Sequence, residues 1–221
     1  MAASRSAARP SPEVSPWRPG TLAPMTSDAL RRALTEPGDP PLLPLPGVAV
    51  ELLDALAAPP RLGAHLRLVH DVAWHLTAAF ADRFGAVPFD RQAVLFGAAV
   101  HDLGKVEHPG ELTGPGSAHE EAGYQLLLRF GVPEERARFA VTHAAWHSPG
   151  VQLEDLLVSL ADKVWKGRRV TDLEQLVVDR LAAITGQERW QTFLDLDDVL
   201  AELAAGADRR LAFQAEHPVY G

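Results

Sequence analysis

The sequence contains no cysteine among its 221 residues. Disulfides and thiolate metal sites are therefore excluded, and any metal ion must be held by histidine and carboxylate side chains. Ligands of this kind favour hard or borderline ions such as iron, manganese, magnesium or zinc.

The sequence also lacks a long apolar run and an excess of positive charge. No apolar run approaches the roughly 18–20 residues of a membrane-spanning helix, and the N-terminus has no compact apolar core of a signal peptide. We therefore expect a cytoplasmic protein without a membrane partner. The formal net charge of −8 argues against broad nucleic-acid binding. A small anionic substrate remains compatible with a locally positive pocket, and no pattern indicates an oligomeric state.

The chain divides by composition into four segments. Residues 1–24 are rich in Ala, Ser, Pro and Arg, which predicts a disordered tail that is dispensable for folding. Residues 25–46 predict a short helix, capped by Ser27 or Asp28, and a proline-rich connector. Residues 47–215 form the predicted helical domain, and residues 216–221 a C-terminal tail.

Apolar spacing within the predicted domain is helical throughout. We place its helices roughly at 47–57, 61–84, 90–103, 117–130, 133–146, 153–167, 172–185 and 190–214. Prolines and glycines separate these segments, and no alternating strand pattern is present. The sequence therefore predicts an all-α helical bundle.

The strongest motif is the run Ala99-Val100-His101-Asp102-Leu103-Gly104-Lys105. An apolar helix of small residues ends here in an adjacent His-Asp pair. Buried His and Asp side chains need polar partners, and one metal ion can serve both. The competing interpretation is a helix that merely ends in polar residues.

One earlier helix offers two candidate ligands, His65 and His70. Val69, Val72 and Leu76 follow His65 at i+4, i+7 and i+11, which places His65 on the apolar stripe of its helix. His70 lies about 140° away, near the edge of that stripe. We prefer His65 as the ligand and keep His70 as an alternative ligand or supporting residue. Either could instead be a hydrogen-bonded core histidine.

Two further histidine motifs follow the His-Asp pair. In the first, Ser117 is predicted to cap a helix with Glu120 at the capping-box position, so that His119 lies in the first turn. In the second, His143 and His147 have i, i+4 spacing, which would place both on one helix face. His147 is equally well explained as a surface residue at a helix end.

A carboxylate and a set of lysines complete the pattern. Asp162 ends the apolar run 156–161 and needs either Lys163 or a metal as its partner. The sequence has three lysines against 18 arginines, and all three lie in these motifs, as Lys105, Lys163 and Lys166. Lysine is a compact point charge that can meet a single oxygen. This placement suggests phosphate contacts.

Together these motifs resemble the HD superfamily of metal-dependent phosphohydrolases. His65, the pair His101-Asp102 and the distal Asp162 match its signature, and His101 to Lys105 resembles its common His-Asp-x-Gly-Lys variant. His119 and His143 match the order of the two extra histidines in members that hold two metals. The layout, including Ala161-Asp162-Lys163 followed by Arg168, is similar to the small di-iron hydrolases that cleave diadenosine tetraphosphate.

The resemblance implies a helical fold and a phosphohydrolase that acts on a small phosphorylated molecule, a nucleotide among the options. It implies one or two divalent or trivalent ions, with iron or manganese expected first and magnesium, zinc, cobalt or nickel as alternatives. The implied metal ligands are His65, His101, Asp102, His119, His143 and Asp162, with Asp102 bridging if two ions bind. Asp102 and Lys105 are the implied catalytic residues, and the implied phosphate contacts are Lys105, Lys163, Lys166 and Arg168.

Two other functions fit the same residues. Some HD proteins are mixed-valent di-iron oxygenases that cleave C–C or C–P bonds with the same six ligands, so the ligand set does not separate the two chemistries. The other alternative is a metal-bound interaction module without catalytic activity.

Overall fold

The structure is a computed structural model that describes residues 27–85 and 87–220. All regular secondary structure in these ranges is helical, and no β-strand occurs in them. The α-helices are α1 (Asp28–Thr35), α2 (Gly47–Ala55), α3 (Pro60–Arg83), α4 (Arg91–Val100), α5 (Ala118–Arg129), α6 (Glu134–Ala137), α7 (Phe139–Thr142), α8 (Leu153–Val164), α9 (Thr171–Thr185), α10 (Arg189–Ala204) and α11 (Ala207–Ala215). Two 3-10 helices, Leu103–Val106 and Pro109–Leu112, lie between α4 and α5.

The predicted all-α architecture is thus confirmed for the described part of the chain. None of the described helices combines the length and the apolar character that crossing a bilayer requires. The predicted tail, residues 1–24, lies outside the described residues, and the other segment boundaries stay predictions.

Helix α3 lies at the centre of the bundle. It begins with Pro60 in its first turn, where a missing N–H costs no hydrogen bond. Its side chains from residue 62 to residue 73 are buried without a break, because α4, α8, α1, α10 and α11 all pack against it. A helix packed on several sides resists local opening, so it can hold a functional side chain in a fixed position.

Two charged side chains of α3 hold the connector between α1 and α2. The Arg67 guanidinium donates hydrogen bonds to backbone carbonyls of Leu42, Leu43 and Glu36 at 3.0, 3.1 and 2.5 Å. The Asp71 carboxylate accepts one from the Leu43 N–H at 3.0 Å. At the start of α1, the Ser27 hydroxyl accepts one from the Leu30 N–H, so Ser27 is the cap. The hydrogen bonds of Arg67 and Asp71 therefore hold the connector against α3.

The single helix predicted over 133–146 is wrong. The chain forms α6 and α7, divided at Arg138, and leaves helical geometry after His143. The Arg138 side chain accounts for the division. It donates a hydrogen bond to the Glu135 carbonyl and pairs with the buried Asp155 carboxylate at 2.9 Å. Apolar spacing alone carries no sign of this interruption.

The helix predicted over 190–214 is also divided, between α10 and α11. The break falls at Ala205 and Gly206. The Arg210 guanidinium lies against Gly206 and donates hydrogen bonds to the carbonyls of Leu203 and Trp165. The helix predicted over 90–103 ends at Val100, and the chain continues as a 3-10 turn.

Gly104 allows that 3-10 turn to pack directly on α5. A Cβ atom at Gly104 would lie 2.0 Å from the His119 carbonyl oxygen and 2.4 Å from the Gly123 nitrogen. Both atoms belong to the backbone, so neither can rotate away. The glycine of the His-Asp-x-Gly-Lys run is therefore required by close packing between two segments that carry candidate ligands.

We expect Gly104→Ala to destabilise the protein by at least about 2 kcal/mol, because the new methyl group forces two backbones apart. Gly110→Ala is the matched control. It lies in the same connecting segment, and a Cβ there meets no atom within 4 Å. Urea unfolding of both variants measures the difference, and equal stability would contradict the packing role of Gly104.

Candidate metal centre

Six side chains from five segments of the chain meet in the interior of the bundle. They are His65 of α3, His101 and Asp102 after α4, His119 of α5, His143 after α7, and Asp162 of α8. All six are buried. The structure thus brings together the six residues that the sequence analysis gives as candidate metal ligands.

The local sequence explains how the His-Asp pair enters this interior. Val94, Ala98 and Val100 are fully buried, so α4 runs through the core until its last residue. The chain then turns, and the Lys105 N–H donates to the Asp102 carbonyl at 3.0 Å. The turn directs the His101 and Asp102 side chains inward rather than to solvent.

Asp102 stands between two groups of histidines. Its Oδ2 lies 3.0 Å from His65 Nε2 and 3.7 Å from His101 Nε2. Its Oδ1 lies 3.0 Å from His119 Nε2 and 3.5 Å from His143 Nε2. The two oxygens of one carboxylate therefore face two different sets of nitrogen atoms.

Asp162 completes the first of these groups. Its Oδ1 lies 3.4 Å from His101 Nε2 and 3.7 Å from His65 Nε2. Its Oδ2 accepts a hydrogen bond from Lys163 Nζ at 2.6 Å, and Lys105 Nζ donates to Asp102 Oδ2 at 2.5 Å. Each aspartate thus has one ammonium neighbour, and the pairing of Lys163 with Asp162 weighed from the sequence is present.

Several nitrogen atoms in the cluster lack the partners that burial normally demands. Nε2 of His65, His101 and His119 is buried and makes no well-directed hydrogen bond to any described residue, although Asp102 oxygens lie 3.0 Å from Nε2 of His65 and of His119. For His101 the ring is already oriented, since its Nδ1 lies 3.0 Å from the Ala98 carbonyl. His143 is held in the same way by Phe139 O at 3.2 Å. Buried nitrogen atoms that lie beside carboxylates and lack hydrogen-bond partners are expected where a metal ion is the missing partner. The residues therefore fit a metal ion.

Burial and charge set the protonation states of the cluster. Burial lowers the pKa of His65, and burial together with His101 lowers the pKa of His143 to about 3. Burial would raise the pKa of Asp102, but His101, His119, His65 and Lys105 hold it well below its usual range. Neutral imidazoles beside an ionised carboxylate are in the forms that ligate metals.

The pKa of His119 shifts in the opposite direction to those of His65 and His143. Burial would lower its pKa, but the carboxylates of Asp102 and Glu111 raise it above the ordinary value. An ion that binds Nε2 therefore competes with protonation of this ring.

Four predicted residues lie apart from the cluster. His70 is buried but lines a separate pocket with Trp74, Leu95 and Phe96, away from the six clustered side chains. His147 is exposed and lies 3.0 Å from Asp172, because the helix that should have carried it ends at Thr142. Lys166 and Arg168 are exposed, and neither forms a hydrogen bond or an ion pair with the six residues in the described structure, although the charges of Asp162 and Asp102 act on the pKa of Lys166.

The sequence reasoning missed Glu111 and misassigned Ser117. Ser117 makes no side-chain cap hydrogen bond. Instead, the Glu111 carboxylate accepts hydrogen bonds from the N–H groups of Ala118 and His119, each at 3.2 Å, and lies 2.5 Å from His119 Nδ1. One signal was available, since Glu111 is the single charged residue between Pro109 and Gly116.

The fold and the cluster define a class, that of helical proteins in which histidine and aspartate side chains hold metal ions. Residues 68–166, slightly under half of the chain, match the family model of the HD domain. The match begins three residues after His65 and includes the five other cluster residues. No curated protein and no solved structure gives a match to the chain. The resemblance to the HD superfamily is thereby confirmed.

His70 generates a prediction for stability against pH. Burial lowers its pKa from 6.5 to about 4 in the folded protein. The unfolded chain therefore takes up this proton first, so folded-state stability falls as the pH drops below about 6.5, and the loss is complete below about 4. Between pH 7 and pH 5, we expect wild type to lose about 2 kcal/mol relative to His70→Leu. Urea unfolding at both pH values measures this, and parallel losses in the two proteins would refute it.

Proposed function

We propose that this protein is a metal-dependent phosphohydrolase that cleaves a phosphoester or phosphoanhydride bond of a small molecule, with nucleotides as the first class to test. The observation that carries the proposal is the position of Asp102, whose two oxygens face two groups of buried histidines. A carboxylate placed in this way suits a pair of ions that share it. The HD domain supports hydrolysis, because its family consists in general of metal-dependent hydrolases.

We assign six metal ligands to two groups that share Asp102. The first group is His65, His101, Asp102 and Asp162, and the second is Asp102, His119 and His143. Nitrogen and carboxylate donors without thiolate suit iron or manganese, with magnesium, zinc, cobalt or nickel as alternatives.

Bound metal supplies the chemistry that the side chains lack, since it lowers the pKa of a coordinated water towards neutrality and polarises a phosphoryl oxygen. The chain supplies charge and orientation. The carboxylates of Asp102 and Asp162 are balanced by the ammonium groups of Lys105 and Lys163, so each bound cation leaves the site positive. A positive, largely buried site favours an anionic phosphoryl group.

The lysines are assigned to the substrate. Among the four cations assigned to the substrate, Lys105 and Lys163 are the least exposed, with side chains 17% and 14% exposed, and both can reach a phosphoryl oxygen in place of the carboxylate they now contact. We assign Lys105 the contact with the reacting phosphoryl group. Lys166 and Arg168 are exposed nearby in the chain and are assigned to the outer part of the substrate.

Metal stoichiometry tests the assignment of two groups. Protein loaded with Mn²⁺ and freed of excess ion should hold about two ions per chain. His143→Ala should hold about one, because it removes one of three ligands from the second group. His70→Ala is the matched control, a buried histidine outside the cluster, and should still hold about two. Elemental analysis provides the count, and one ion in both wild type and His143→Ala would reduce the site to a single metal.

Substitution of Asp102 and Lys105 separates metal binding from substrate binding. Asp102→Ala should lower metal content and hydrolysis together. Lys105→Ala should keep the metal and cost about 2–4 kcal/mol in kcat/KM, because a charged contact to developing negative charge is lost. Lys105→Arg should restore activity only in part, since a planar fork replaces a point charge poorly. Elemental analysis and kinetics on the best substrate of a phosphatase and nucleotidase panel measure both effects.

Two results would overturn this assignment. Asp102→Ala with full metal and full activity would make the His-Asp pair a polar helix end. Oxygen uptake by the iron-loaded protein, with substrate consumed by oxidation rather than hydrolysis, would replace the hydrolase by an oxygenase, which uses the same ligands.

A further inference from the structure

A single carboxylate outside the cluster holds one of its histidines. Glu111 belongs to the second 3-10 helix, and its side chain is 15% exposed. Oε2 lies 2.5 Å from His119 Nδ1 and accepts a hydrogen bond from the His119 N–H, and Oε1 accepts one from the Ala118 N–H. Glu111 thus binds both the first turn of α5 and the ring that this turn carries.

The contact at Nδ1 determines what Nε2 can do. A carboxylate beside Nδ1 keeps the ring proton on that nitrogen, which leaves the Nε2 lone pair available for a metal ion. Nε2 of His119 then points at the cluster, 3.0 Å from Asp102 Oδ1. Glu111 therefore favours both the tautomer and the ring orientation that ligation by His119 needs.

The His119 ring is oriented by a side chain, whereas the rings of His101 and His143 are oriented by backbone carbonyls. The Nδ1 atoms of His101 and His143 lie against carbonyls of their own helical turns, Ala98 and Phe139. His119 Nδ1 instead lies against a residue eight positions earlier, across a separate loop. The orientation of His119 is consequently tied to the folding of that loop, and that of His101 and His143 is not.

Gly116 supports the position of the Glu111 carboxylate. A Cβ atom at residue 116 would lie 2.3 Å from the carboxyl carbon of Glu111. The loop thus passes close to the carboxylate at a point where only a hydrogen atom fits. This arrangement gives a second way to displace Glu111 without altering its charge.

We propose that Glu111 is a positioning residue that holds His119 for the second metal ion, so that occupancy of this ion and the folding of the segment from Pro109 to Ala118 stabilise each other. The inference rests on the proposed metal centre. Its consequence is selective, because loss of Glu111 should weaken the ion bound by Asp102, His119 and His143 and spare the ion bound by the other group.

Titration of the purified protein with Mn²⁺, monitored through the electron paramagnetic resonance signal of free Mn²⁺, tests the inference. Wild type should bind two ions. Glu111→Ala should bind the second ion about 10- to 100-fold more weakly, the range typical for loss of a partner that orients a ligand, and the first with little change. Glu111→Gln retains an acceptor oxygen without the charge and should fall between them. Gly116→Ala should resemble Glu111→Ala.

Glu107→Ala is the matched control, since Glu107 lies two residues before this segment but pairs with the exposed Arg129. It should titrate as wild type. Hydrogen exchange provides a readout of coupling, because Mn²⁺ should slow exchange of the amides of Ala118 and His119 in wild type and much less in Glu111→Ala. A residue that only caps α5 would lower the metal-free melting temperature and leave Mn²⁺ affinity unchanged.

The outcomes separate this inference from the function it rests on. Wild type that binds no Mn²⁺, nor any other divalent ion, would overturn the metal centre and the inference with it. Wild type that binds two ions, with equal affinities in Glu111→Ala and in Gly116→Ala, would overturn the positioning role alone.

Discussion

The Asp102 carboxylate is buried at the end of a core helix, and its need for positive or polar partners organises the interior of this protein. Burial opposes its charge, yet the surrounding histidines and Lys105 hold its pKa well below the usual range. Those partners come from α3, α5 and the turn after α7 as well as from its own segment. Because these partners come from several helices, the helices must pack in one order and at fixed distances for all the partners to reach Asp102. The packing of the bundle therefore also determines the geometry of the site.

Close packing and fixed rings make the arrangement precise. Gly104 lets the chain after Asp102 lie directly on the backbone of α5, which fixes the separation between Asp102 and His119. Carbonyls hold His101 and His143, and the Glu111 carboxylate holds His119. Ligand rings that are oriented before an ion arrives lose little freedom on binding it, which favours a metal centre on a stable scaffold.

The sequence was most informative where chemistry and periodicity agreed. The sequence favours His65 over His70 because His65 shares an apolar stripe with Val69 and Leu76. The structure buries both histidines, since α3 is packed on several sides, and places His65 beside Asp102. His147 was misplaced because α7 ends at Thr142, whose hydroxyl donates a hydrogen bond to the Asp155 carboxylate, a contact that apolar spacing does not reveal. Glu111 was missed for a similar reason, since a contact across a loop leaves no period in the sequence. Local sequence patterns predict helices and their buried faces. They do not reveal contacts between side chains that are distant in the sequence.

Anomalous diffraction from crystals of the Mn²⁺-loaded protein tests the central claim most directly, because it locates ions without reference to activity. The account predicts two peaks about 3.5–4 Å apart, one beside Asp102 Oδ2 among His65, His101 and Asp162, and one beside Oδ1 between His119 and His143. A crystal with no peak at Asp102, or with ions bound only at other places on the molecule, would contradict it.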